Sequence, residues 1–155
     1  MKYSMDTSAL IEGWVRTYPI NNFPGVWEKL SGLIEKGEAK ATDEVLRELE
    51  KQDDDLTKWC KQQRNLFVAI ENKIQYAIAE ILDSYPRIIE SGGRRSGADP
   101  FVIALAKINN ATVVTAEQRT NNSDGRVRIP DVCNSMSIRC IPLLKLITDE
   151  HWIFG

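Results

Sequence analysis

The run Ala111-Thr112-Val113-Val114-Thr115 constrains this chain more than any other stretch. It is short, β-branched and without polar alternation, the pattern of a strand covered on both faces in a parallel sheet. Phe101 to Ile108, just before it, is apolar nearly all round, as expected of a helix buried within the domain, and Asn109-Asn110 closes that helix. A strand of this kind needs helices on both sides of its sheet.

The rest of the chain supplies them. Lys2 to Met5 reads as a first strand, and Thr7 or Ser8 can cap the helix that begins at Ala9-Leu10-Ile11. Thr17 to Phe23 is a loop, and Pro24 opens a helix whose Val26, Trp27, Leu30, Leu33 and Ile34 share one face, ending at Gly37. Ala39 to Thr42 is a second strand, and Thr42 can cap a helix from Asp43 to about Lys51. Asp53-Asp54-Asp55 reads as a solvated helix N-terminus and not a metal site, because consecutive helical residues point in different directions. A long helical stripe follows, carrying Phe67, Ile70, Ile74, Ala77, Ile78, Ile81, Leu82 and Tyr85 and ending at Pro86. Beyond the flexible, glycine-rich stretch Ser91 to Gly97, Asp99 reads as a helix N-cap and Pro100 as the first helical residue. Ile129 to Cys133 leads into a short helix, Ser137 to Ile141 is a last strand, and Leu143 to about Thr148 a closing helix. The expected fold is α/β, one domain over residues 1–155, with a mostly parallel sheet between helices.

Composition narrows the function classes. With 155 residues, 43% hydrophobic and 27% charged, the chain fits one domain of ordinary globular make-up. A net charge of −2 gives no bulk attraction to nucleic acid or anionic membrane, so any phosphate binding must come from a local patch or a bound cation. No apolar run approaches the ~20 residues that span a bilayer, and no export leader is read, so a cytoplasmic protein without membrane contact is expected. Cys60, Cys133 and Cys140 lack paired spacing, which argues against a disulfide framework or a zinc site. The single histidine, His151, excludes a mechanism built on two histidines.

Acidic residues carry the chemical signal. Asp6 ends the first strand and Glu117 follows the strand at Ala111 to Thr115, both at C-terminal tips where open α/β sheets bind ligands. Asp99 stands behind a flexible loop, where capping alone would account for it. Glu48 falls about 60° from Val45, at the edge of its helix's buried face, where a solvated acid is the ordinary reading. Several carboxylates at one rim raise each other's pKa unless a cation neutralises them. Oxygen ligands without His or Cys suit Mg²⁺ or Mn²⁺, which can activate water and neutralise charge on a phosphate.

In order and spacing, Asp6-Thr7-Ser8-Ala9-Leu10-Ile11, Val45-x-x-Glu48-Leu49, Ala98-Asp99-x-x-Ile-Ala-Leu-Ala and Val113-Val114-Thr115-x-Glu117 resemble the motifs of PIN-domain nucleases over nearly the whole chain. Phe23-Pro24-Gly25-x-Trp27 and Arg128-Ile129-Pro130-Asp131-Val132-Cys133 are similar to an uncharacterised PIN-like branch. The resemblance implies a three-layer α/β/α fold and a metal-dependent endoribonuclease, often the toxin of a toxin–antitoxin pair with a small antitoxin protein, and a homodimer is compatible with it. Asp6, Glu48 and Asp99 match the first three metal-binding acids. Glu117 stands where the family more often has Asp, and Glu44 rivals Glu48. Thr7 and Thr115 match hydroxyl positions that orient the acids or contact phosphate.

Other candidates stay open at this level. Asp131 either caps the helix after Pro130 or adds an outer carboxylate. Arg94, Arg95, Arg119, Arg126 and Arg128 either track a nucleic-acid backbone or are solvated loop charges. Trp14, Trp27, Trp59 and Trp152 are too scattered in sequence for a base-stacking platform. The expected activity is Mg²⁺- or Mn²⁺-dependent RNA hydrolysis. The alternatives are an RNA-processing or DNA-acting nuclease without an antitoxin, and a non-catalytic binding module. A phosphoaspartyl phosphatase is disfavoured because position 8 is Ser where that chemistry wants a second acid.

Overall fold

The computed structural model describes residues 1–88, 97–119 and 127–155. Five strands form one parallel sheet: β1 (Tyr3–Met5), β2 (Ala39–Thr42), β3 (Phe67–Val68), β4 (Thr112–Val114) and β5 (Cys140–Ile141). Their spatial order is β3-β2-β1-β4-β5. Eight α-helices alternate with them among the described residues: α1 (Thr7–Glu12), α2 (Pro24–Glu35), α3 (Asp43–Glu50), α4 (Asp55–Gln62), α5 (Asn72–Ser84), α6 (Asp99–Asn109), α7 (Ile129–Ser135) and α8 (Leu143–Asp149). These helices flank the sheet, giving the expected three-layer α/β/α arrangement.

β1 is the hinge of this order. Its register is Tyr3 against Ala39 on one side and against Thr112 on the other. Chain direction across the sheet reverses between β1 and β4, so a crevice opens beyond their C-terminal ends. Alternation along β1 sends Ser4 toward α6, where its hydroxyl donates to the Val102 carbonyl at 2.8 Å, while Tyr3 and Met5 face the other layer. α6 is buried over Val102 to Ala106, as its all-round apolar sequence requires, and ends at Asn110 in the left-handed region. Gly37 takes the same left-handed conformation after α2 (φ +73°).

Several expectations change. Phe67 does not begin a helix: Phe67–Val68 pairs with Ala41–Thr42 as β3, and α5 starts only at Asn72. α1 continues into a π turn over Gly13–Thr17, packed so closely that a Cβ on Gly13 would stand 2.8 Å from Leu143 Cδ2. Neither Thr7 nor Ser8 caps α1, whose N-cap is Asp6, and Thr42 occupies the N-cap of α3 without a side-chain bond. Asp99 is the first residue of α6, with Ala98 as N-cap. Asp54 does cap α4, accepting from the Thr57 amide at 3.1 Å. Trp14, Trp27 and Trp59 meet edge to face, with Trp27 fully in the core, so these rings serve packing. No helix among the described residues is long and apolar enough to cross a membrane.

Candidate acidic site at the sheet's switch point

Asp6 leaves β1 in extended conformation, its amide bonded to the Val114 carbonyl at 2.9 Å, so its side chain enters the crevice between β1 and β4. It is 2% exposed. Two hydroxyls hold it: Ser8 Oγ and Thr115 Oγ1 both donate to Asp6 Oδ2, the second at 2.7 Å. Each hydroxyl has one proton to give and lone pairs to spare. Ser8 Oγ accepts from the Ala116 amide at 3.0 Å, and Thr115 Oγ1 accepts from the Glu117 amide at 3.1 Å. Two parallel relays therefore run from the backbone after β4 to the Asp6 carboxylate, and they fix where Glu117 starts.

Glu48 comes from α3. Its Oε1 accepts from the Ala98 amide at 2.8 Å, which ties α3 to the start of α6 and sets Asp99 beside it. Glu48 and Asp99 are 9% and 4% exposed, low for carboxylates without a cationic partner. Glu117, half-buried, accepts from the Ile129 amide at 3.1 Å through Oε2, at the N-terminus of α7. Among the described residues none of these four acids forms an ion pair.

Their ionisation reflects that isolation. Burial first, then the charges of Glu117, Asp6 and Glu48, push the Asp99 carboxyl up to about 10. Burial and the Asp6 charge push Glu117 up to about 7, against the pull of the Ile129 amide and the Arg128 guanidinium. Burial also raises Asp6, opposed by Ser8, Thr115 and the Thr7 and Ser8 amides. Glu48 is raised by burial and by Asp6, opposed by Thr7 and the Ala98 amide. The four carboxylates thus form one electrostatic unit. Among the described residues no three acidic, histidine or cysteine side chains already converge on one point as metal ligands would.

The structure brings together Asp6, Glu48, Asp99 and Glu117 and places Thr115 against Asp6. The Thr7 hydroxyl lies close enough to favour the ionised Glu48, yet Thr7 Oγ1 has no partner of good hydrogen-bond geometry. Thr42 Oγ1, at the tip of the neighbouring strand, is likewise buried and unpartnered. Glu44 turns outward to pair with Arg47. Asp131 takes the capping role, accepting from the Arg128 amide at 3.0 Å in the first turn of α7. Arg128 stands beside Glu117. Arg94, Arg95 and Arg126 lie outside the described residues. Sequence reading missed the Ala98 amide and the orphaned Thr42 hydroxyl, although the strand-tip rule that picks out Asp6 and Glu117 also covers Thr42.

No curated protein matches this chain. One family model, described as "Domain of unknown function (DUF4411)", matches residues 3–154. The match takes in all four acids and all five strands, so this chain belongs to the DUF4411 family.

Proposed function

We propose that this protein is a divalent-metal-dependent endoribonuclease. One observation carries the reading: four separate segments deliver four carboxylates, without an ion-pair partner among the described residues, to the crevice where the sheet's order reverses. Such a cluster is unfavourable for folding unless a cation enters it. The donor set is all oxygen, which suits Mg²⁺ or Mn²⁺, and the buried Thr7 and Thr42 hydroxyls carry hydrogen-bonding capacity the protein does not use. Mg²⁺ keeps most of its waters and needs only one or two direct carboxylates, so it does not require three side chains to converge on one point.

Asp6 and Asp99 would hold the ion, with Glu48 and Glu117 reaching it directly or through water. When bound, the ion would neutralise the carboxylates and the scissile phosphate and make water a better nucleophile. The protein's own groups do the rest. Ser8 and Thr115 favour the ionised form of Asp6 and aim it by donating to Oδ2. Ala98 fixes Glu48. Glu117 can take a proton from the attacking water through the oxygen that Ile129 does not hold.

The test is cleavage of labelled single-stranded RNA by purified protein with Mn²⁺. Cleavage stopped by a chelator, and by Asp6→Asn and Asp99→Asn, supports the mechanism, and activity indifferent to all three overturns it. A toxin role with a cognate antitoxin rests on the resemblance alone. Growth arrest on expression, relieved by a neighbouring gene product, would test it.

A further inference from the structure

Resting on the nuclease reading, we infer that the cavity of about 470 Å³ beside the acidic site is a subsite for the RNA backbone phosphate next to the scissile one, gripped by Arg128 and Arg16. The cavity is lined by Ser8, Glu12 and Arg16 on one side and Glu117, Gln118 and Arg128 on the other. Ser8 and Glu117 belong to the acidic cluster, so whatever fills this cavity touches the site itself. Its size suits a nucleotide-sized group.

The two arginines give it a ligand class. Arg128 lies beside Glu117 yet forms no ion pair with it, and its Nε is buried without a hydrogen-bond partner. A buried guanidinium N–H left unmatched calls for an acceptor, and the planar fork of Arg matches phosphate oxygens. Arg16 is 76% exposed and, among the described residues, pairs with Glu12 at a loose 3.7 Å, which leaves it able to turn inward. The two guanidiniums come from different segments, Arg16 from the π turn after α1 and Arg128 from the N-cap of α7. Together they give the cavity two guanidinium donors, set against the Glu12 and Glu117 carboxylates of the same lining.

The experiment measures binding separately from cleavage. A short fluorescein-labelled single-stranded RNA is titrated with wild type, Arg16→Gln and Arg128→Gln over a salt series, with Ca²⁺ in place of Mn²⁺. Each variant is expected to weaken binding about tenfold and to flatten the log–log salt slope by about 0.7. Arg64→Gln, on the exposed turn before β3 at the other end of the sheet, is expected to match wild type. With Mn²⁺, KM should rise more than kcat falls. Arg16 is exposed enough that its substitution leaves the fold intact, so an Arg16→Gln protein with wild-type affinity and slope overturns the subsite. Wild type that binds no RNA also overturns it. RNA binding that depends on both arginines, without cleavage under any metal, leaves their grip on an RNA phosphate standing and removes the nuclease reading instead.

Discussion

The two ends of this sheet handle acids in opposite ways. At the N-terminal edge, Glu150 accepts from the Tyr3 hydroxyl at 2.7 Å and pairs with Lys2, while Asp149 is held by Arg139 at 2.6 Å and Lys145 at 2.7 Å. Hydrogen bonds from Lys145 and Arg139, and then their charges, hold the Asp149 carboxyl below its ordinary value. At the C-terminal edge, Asp6, Glu48, Asp99 and Glu117 are more deeply buried, are not paired with any described cation, and are all pushed upward. Where acids serve the fold, the chain supplies their counter-charge. Where the described residues supply none, the proposed divalent ion and a phosphodiester would complete the balance.

Mutations at the two ends should therefore differ in kind. The largest effect expected is on cleavage: Asp6→Asn or Asp99→Asn should lower kcat at least about 1000-fold, and Glu48→Gln or Glu117→Gln about 10- to 100-fold, in a steady-state RNA assay with Mn²⁺. Ser8→Ala and Thr115→Val each remove one donor from Asp6 and should cost about tenfold, the second with a smaller change in KM than in kcat.

Stability should respond with the opposite sign. Asp99 binds its proton more tightly when folded, up to about 10, than when unfolded at an ordinary carboxylate value. The unfolded chain sheds that proton near pH 4 and the folded chain keeps it, so this contribution is lost as pH climbs from about 4 toward 10. Glu117 adds a loss between its ordinary value and about 7. In chelator, the melting temperature should fall from pH 5 to pH 8, and Asp99→Asn should flatten that slope and melt at least about 3 °C above wild type at pH 8. The same protein would be more stable and inactive. The smallest effect belongs to the other edge: Asp149→Asn, in an exposed ion pair, should move the melting temperature by less than about 2 °C and leave cleavage unchanged.

Most of this architecture is legible in the sequence, because the short run Ala39 to Thr42 and the β-branched run Ala111 to Thr115 alternate with strongly periodic helices. β3 is not, since two residues cannot show a period and Phe67 happens to fall on the stripe that continues through Ile70 and Ile74. The π turn after α1 is hidden for another reason: it is set by Gly13 packing under Leu143, a contact between residues far apart in the chain. In the site, the strand-tip rule finds Asp6 and Glu117 from local grammar. It gives Asp99 the wrong local reason, since Ala98 is the cap, and leaves Glu48 and Glu44 undecided. Only the fold resolves that pair, by handing Glu48 the Ala98 amide and Glu44 the Arg47 guanidinium.

Calorimetric titration with Mn²⁺ at pH 7, in buffers of different ionisation enthalpy, tests the account's core directly. Asp99 holds its proton at that pH and Glu117 about half of one, so the account predicts binding that releases about one proton or more, tightens as pH rises, and is lost in Asp6→Asn and Asp99→Asn. No binding, or binding that survives both substitutions, would contradict it.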